Sequence, residues 1–282
     1  MISRLFRWIG FVAVCFVVTI HLPASPSKIQ VFLHDRVSLW AVPWFFFASG
    51  FWTAGRAPSW RRIRSLLIPY LLANGLWFAI MAMIQTVGTR YLGMEPSRFG
   101  LSVTDILAGF GVTALLPALV PTWFLRALLV FVFMAPLVGA VARRSVVGGG
   151  LIVVLAFAGH FYLESLDLPA SLHGFLTFAF PTFGFACYAL GTVVGVVADA
   201  PRLAVKDAKG LLTRNVFAVY LLHVPILLLF SYALRPFAAW NWTKSDFGFF
   251  VLWPSLVVLS LGAAEILRRL CPRFARLFLG GR

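Results

Sequence analysis

Carboxylates are scarce in this sequence: nine Asp+Glu among 282 residues, against 24 Lys+Arg, with only 12% of residues charged in all. Soluble domains average about 25% charged residues, so a single globular core under a solvated charged shell is excluded. Cysteine is scarce too. Cys15, Cys187 and Cys271 are an odd number, each lies in or beside an apolar run, and no C-x-x-C or Cys/His spacing occurs. That argues against a disulfide framework or a zinc site, and no permanently bound metal or cofactor is expected. A glycine-rich phosphate loop, a G-x-S-x-G elbow, a heptad series and an internal repeat are also missing.

What is present is apolar. Hydrophobic residues make up 61% of the chain, more than one core of this length can bury. A helix crossing the hydrocarbon layer needs about 20 mostly apolar residues, and eight runs qualify: 5–21, 38–55, 66–86, 122–141, 146–163, 174–197, 215–234 and 247–267. The expected fold is an all-α integral membrane protein, a polytopic bundle of about eight transmembrane helices forming a single membrane-embedded domain over residues 1–282.

The formal net charge of +15 invites a nucleic-acid partner, but nucleic-acid-binding proteins gather Lys and Arg on a solvated face or tail. Here the basic residues punctuate apolar runs, so the charge records orientation instead. With the N-terminus inside, the cytoplasmic segments hold 17 Lys and Arg and the outer segments six, while Arg126 lies within a span. That is the bias expected of cytoplasmic loops, and it places both termini in the cytoplasm of a multi-pass protein of the cell membrane, its basic inner face suited to anionic lipids. The apolar run 101–120 spoils this distribution if it crosses alone, so it is expected to be re-entrant or to lie along the outer surface; a ninth helix paired with a tenth is the alternative, giving a range of about eight to ten spans. Arg4 and Arg7, an apolar core and Leu22-Pro23-Ala24-Ser25 also fit a cleaved signal peptide, an alternative the charge distribution does not separate.

Ionisable groups inside a bilayer are costly and mark candidate sites. His21 ends the first span, His223 lies near the middle of the seventh, His160 and His173 lie toward the outer side, and none of the five histidines falls on the cytoplasmic side. The inner side carries guanidinium clusters, above all Arg61-Arg62-Ile63-Arg64. The molecule is thus polarised, with anion-binding groups inside and proton-transfer groups in the outer half.

Four places in order resemble the acyltransferase-3 family of bacterial integral-membrane acyltransferases. They are the first span ending in His21, the run Val42-Pro43-Trp44-Phe45-Phe46-Phe47-Ala48-Ser49-Gly50-Phe51, the Arg61-x-x-Arg64 cluster running into Ile68-Pro69-Tyr70, and Tyr220-Leu221-Leu222-His223. Pro121-Thr122-Trp123-Phe124-Leu125 resembles the start of a further family helix. The resemblance implies a donor, cytoplasmic acyl-coenzyme A such as acetyl-coenzyme A, and an acceptor at the outer side, a cell-envelope glycan or a small molecule. Where the family commonly carries an Arg ahead of the first-span His, this chain has Gly10. Arg7, one turn earlier, falls within about 40° of the His21 face and is the expected substitute.

On this reading His21 is the general base, because neutral imidazole with a pKa near 6.5 accepts a hydroxyl proton at neutral pH. His223, near the middle of its span, is a second site residue. Arg61 and Arg64, three apart on one helical face, are expected to hold donor phosphates through guanidinium forks, and Arg126 either snorkels outward or faces the acceptor. Asn74 and Ser49 are expected to line a cavity or to bond between helices, and Glu265 to pair with Arg268 and Arg269. The rival readings are a transporter or flippase for a polysaccharide or small organic acid, using the same cavity without chemistry, and a catalytically silent relative.

Overall fold

The computed structural model describes residues 2–22, 28–92, 102–111, 116–200, 215–234 and 245–279, and every regular element among them is helical. The Pro23 to Ser25 junction and the basic 202–214 segment lie outside the described residues. Helix α1 spans Ile2–Ile20. A continuous helical run then changes pitch: α2 (Lys28–Phe32), a π turn (Leu33–Val37), a 3-10 turn (Ser38–Trp40) and α3 (Ala41–Thr53). There follow α4 (Trp60–Leu92), α5 (Val103–Gly109), α6 (Trp123–Arg144) and α7 (Val146–Glu164). The short α8 (Ala170–Gly174) leads through a π turn into α9 (Thr182–Val197). Last come α10 (Val216–Leu234), α11 (Asp246–Leu270) and α12 (Pro272–Phe278).

Six of these helical stretches are long and apolar enough to cross a membrane, and Val216–Ser231 of α10 is a shorter apolar helix. They account for seven of the eight expected runs. The eighth, 38–55, is the 13-residue α3 with its 3-10 lead-in, about 20 Å of regular α-helix. Its central residues are packed within the protein, Phe46 and Phe51 being almost wholly buried.

Closest packing is between α3 and α9. A Cβ on Gly191 would meet the Phe47 carbonyl, one on Gly195 the Phe51 carbonyl, and one on Gly50 the Tyr188 carbonyl. Glycines four apart let two backbones touch, and in lipid this replaces the hydrophobic drive that holds soluble helices together. From α3, Phe46 sits between Phe124 and Phe131 of α6, its ring tilted against both at separations of 4.6 and 5.3 Å. Ala54 closes α3 in the left-handed region at φ 46°, followed by Gly55 at φ 65°, and Arg143 donates to both their carbonyls at 3.3 Å. Helix α7 is peripheral: Val147, Val154 and Phe161 are among its exposed apolar residues, as suits a surface in contact with lipid tails.

The described residues of the 101–120 run hold the seven-residue α5, too short to cross a membrane alone and capped by Ser102 and Asp105 in a reciprocal box. Ahead of α6, Leu119, Pro121 and Thr122 are all buried. Non-helical backbone at such depth must find partners within the protein. Asn74 supplies them: its Oδ1 accepts from Leu119 N at 3.1 Å, and its Nδ2 donates to Thr122 Oγ1 and to the Tyr70 carbonyl, both at 2.8 Å. Tyr220 donates its hydroxyl to the Pro121 carbonyl.

Candidate active site

At the end of α1 the exposed carbonyls of the last turn are engaged, which fixes the residue that follows. Trp253 Nε1 donates to Cys15 O at 2.6 Å and Thr19 Oγ1 donates to Phe16 O at 2.7 Å, while the Thr19 and Ser38 hydroxyls bond to each other. His34 Nε2 lies 3.3 Å from Ile20 O. His21 follows directly, its backbone N–H still donating to Val18 O at 3.2 Å, and its side chain is half-buried.

Against it stands His223 of α10, wholly buried. The two rings are 5.1 Å apart between centroids, tilted by 47°. Nδ1 of His223 lies 3.0 Å from the Val219 carbonyl, which can only accept, so Nδ1 carries the proton and Nε2 presents a lone pair in the neutral ring. That Nε2 is buried without a hydrogen-bond partner among the described residues. One turn before His223, the Tyr220 ring bridges to Phe124, 5.6 Å away.

The first turn of α4 makes a different environment. Arg61, Arg62 and Arg64 line a cavity of about 770 Å³ together with Trp60 and with Arg273 and Arg276 of α12. Arg62 Nη2 donates to Ser49 Oγ at 2.8 Å, and its Nε is buried without a partner among the described residues. A second cavity, about 300 Å³, shares Arg62 and is lined further by Ser49, Trp52, Phe124, Phe217 and Tyr220. Arg62 thus stands between the two cavities, and Tyr220 stands between the inner one and His223.

The structure brings His21 to His223, and Arg61 to Arg64. It does not bring Arg7 to either group: fourteen residues of helix put it about 21 Å from His21 along the axis, and it is not among the residues lining the arginine cavity. Gly10 is buried against Phe45 and Trp44 of α3, 3.9 and 4.0 Å from its virtual Cβ. Arg126 is engaged by backbone: its Nη1 donates to Gly111 O at 2.6 Å and its Nη2 lies 3.5 Å from Phe178 O, so it ties the segment after α5 to the turn before α9. His160 joins α7 to α9 through a 2.8 Å contact with Thr182 Oγ1. Glu265 pairs with Arg268 and Arg269 at 3.9 and 3.2 Å. Among the described residues no group of three or more His, Cys, Asp or Glu is placed to hold a metal.

Sequence reasoning missed three arginines. Arg62 lies inside the quoted cluster but, off the Arg61–Arg64 face, was given no role; Arg273 and Arg276 follow Pro272 and read as a basic tail. The only local signal was their spacing of three, with Ala275 and Phe278 between and after them.

Residues 5–193 match the family model described as an acyltransferase domain, a match that includes His21, α3 and the arginine turn of α4, ends within α9 and stops short of His223. No curated protein and no solved structure matches the chain. Covering more than half of the chain, the match establishes that this multi-helical membrane protein belongs to the acyltransferase-3 family.

Proposed function

We propose that the protein moves an acyl group, acetyl in the first instance, from acyl-coenzyme A at the arginine end of the bundle to a hydroxyl acceptor at the His21 end. The observation that carries this reading is a chain of neighbouring side chains: Arg62 lines both cavities, and Tyr220 lines the inner one with its ring 6.5 Å from that of His223. Guanidinium forks suit phosphate oxygens, and the narrower, mainly apolar inner cavity suits a pantetheine arm. The bias of Lys and Arg in the sequence puts the arginine end in the cytoplasm, with eight spans and both termini inside, and it puts the acceptor, an envelope glycan or similar polyol, on the outer side of the cell membrane.

Chemistry then falls to the histidines. Neutral His21, the half-exposed ring, takes the hydroxyl proton as the acceptor oxygen attacks the thioester carbonyl. The tetrahedral intermediate collapses, the C–S bond breaks, and the imidazolium returns the proton to the departing thiolate of coenzyme A. His223 contacts the thioester arm from the sealed side through Nε2. Excluding water there protects the thioester from hydrolysis and strengthens stabilisation of the oxyanion. Arg7 and Arg126 take supporting parts, Arg7 near the donor end and Arg126 holding the outer loops over the acceptor entrance.

The test uses purified protein in lipid nanodiscs with acetyl-coenzyme A and a model glycan. His21→Ala should lower transfer by about a hundredfold or more while leaving expression and thermal stability intact. Transfer at the unsubstituted rate removes His21 from the mechanism. Absence of donor binding, with solute transport in liposomes, replaces the reading with a transporter.

A further inference from the structure

The wide cavity is built by two elements from distant parts of the chain, the first turn of α4 and the C-terminal helix α12, which pack together. Among the described residues no carboxylate lines it, and none of its five guanidinium groups, on Arg61, Arg62, Arg64, Arg273 and Arg276, joins an ion pair. Five like charges around one space repel each other and favour an anion between them. Arg62, with its Nε buried and unpartnered, marks where the anion reaches furthest in.

Helix α12 is seated and is not a loose basic tail. Pro272 starts it, and Ala275, Phe278 and Leu279 are buried to 2, 5 and 1% exposure. That apolar side anchors the helix, while Arg273 and Arg276, three apart and hence neighbours on its surface, line the cavity. Trp60, 66% exposed at the start of α4, adds an indole face to the same rim.

One phosphate is satisfied by one or two guanidinium forks. Five forks on two walls call for phosphates at separate points of one ligand, and an exposed indole beside them stacks on a purine face. Resting on the donor reading above, we propose that the α12 wall is a subsite for the 3′-phosphate of coenzyme A. Arg273 and Arg276 hold that phosphate, Trp60 stacks on the adenine, and the diphosphate lies along the α4 wall toward Arg62. The C-terminal helix, beyond the matched family domain, thereby sets preference for coenzyme A over its dephosphorylated form.

Titration calorimetry of the full-length protein in neutral phosphatidylcholine nanodiscs tests this with coenzyme A and dephospho-coenzyme A. Coenzyme A should bind about tenfold or more tightly, as expected for loss of a charge-assisted contact. R273Q/R276Q should bring the two to parity, whereas W60A should weaken both alike. Equal affinity in the unsubstituted protein overturns the proposal without relying on any variant, and it leaves the donor reading standing because both ligands still bind. Binding of neither ligand overturns both. If the cavity instead takes lipid head groups, adding phosphatidylglycerol displaces coenzyme A in proportion to its content, which also overturns the proposal.

Discussion

His21 is partly buried and His223 is sealed from solvent, although their rings stand only 5.1 Å apart. On the proposed mechanism the asymmetry divides their roles: a group that exchanges protons with an incoming acceptor must be reachable, and a group that orients the thioester need not be.

Replacing His223 by leucine tests that division. The side chains are similar in size, and the change removes an Nε2 without a partner among the described residues along with the Nδ1 bond to Val219 O, so stability should shift by no more than about 1.5 kcal/mol. Transfer should fall at least about tenfold, in keeping with loss of a hydrogen bond made to the reacting group. Thermal unfolding and turnover measured on one preparation separate the two effects; full activity would show that His223 is packing alone.

Removing the base itself should cost more. His21→Ala is expected to lower turnover by about a hundredfold to ten-thousandfold, the range for a positioned proton acceptor, with an unchanged size-exclusion profile.

A different prediction concerns the α3–α9 contact. Gly191→Ala places a methyl group on the Phe47 carbonyl, backbone that cannot turn aside, and should destabilise by at least about 1–3 kcal/mol. Gly150→Ala meets nothing within 4 Å and should be neutral or stabilising by about 0.5–1 kcal/mol through helix propensity. Detergent thermal shifts that do not rank the two this way would contradict the close approach.

Asn74→Ala strips the 119–122 segment of its anchor and leaves the buried Leu119 N–H unsatisfied, costing about 1–3 kcal/mol. Because the same segment accepts the Tyr220 hydroxyl at Pro121, activity should fall along with stability, and protease sensitivity in the 116–122 region should rise.

At the other end, R61Q/R64Q should raise the KM for acyl-coenzyme A about tenfold or more. Salt should weaken donor binding less in the variant, since fewer screened charges remain. An unaltered KM would return both arginines to a purely topological role.

Much of the fold was legible because long apolar runs are a composition signal, and Asn74 and Glu265 were legible because a polar group in such a run must find a partner. The break in the 38–55 run was not, since a π turn followed by a 3-10 turn leaves no trace in hydropathy. Gly191 and Gly195 carry the small-residue spacing of close helices in plain sight, but which helix they meet is decided by tertiary packing. The site divides the same way. Each histidine could be singled out by its depth, whereas their adjacency depends on α1 lying beside α10. The partners of Arg126 were not legible, because its acceptors, the Gly111 and Phe178 carbonyls, belong to irregular segments that carry no pattern.

The contact of α1 with α10 and α11 has a bearing on biogenesis. His21 precedes His223 by about 200 residues of sequence, so the histidine pair cannot exist until the 215–234 run has been made and inserted. A chain cut after the matched domain retains His21 and the α4 arginines but has neither the second imidazole nor the Trp253 clamp on α1. On the proposed mechanism, newly made protein therefore stays chemically inert until these two late helices have packed against α1.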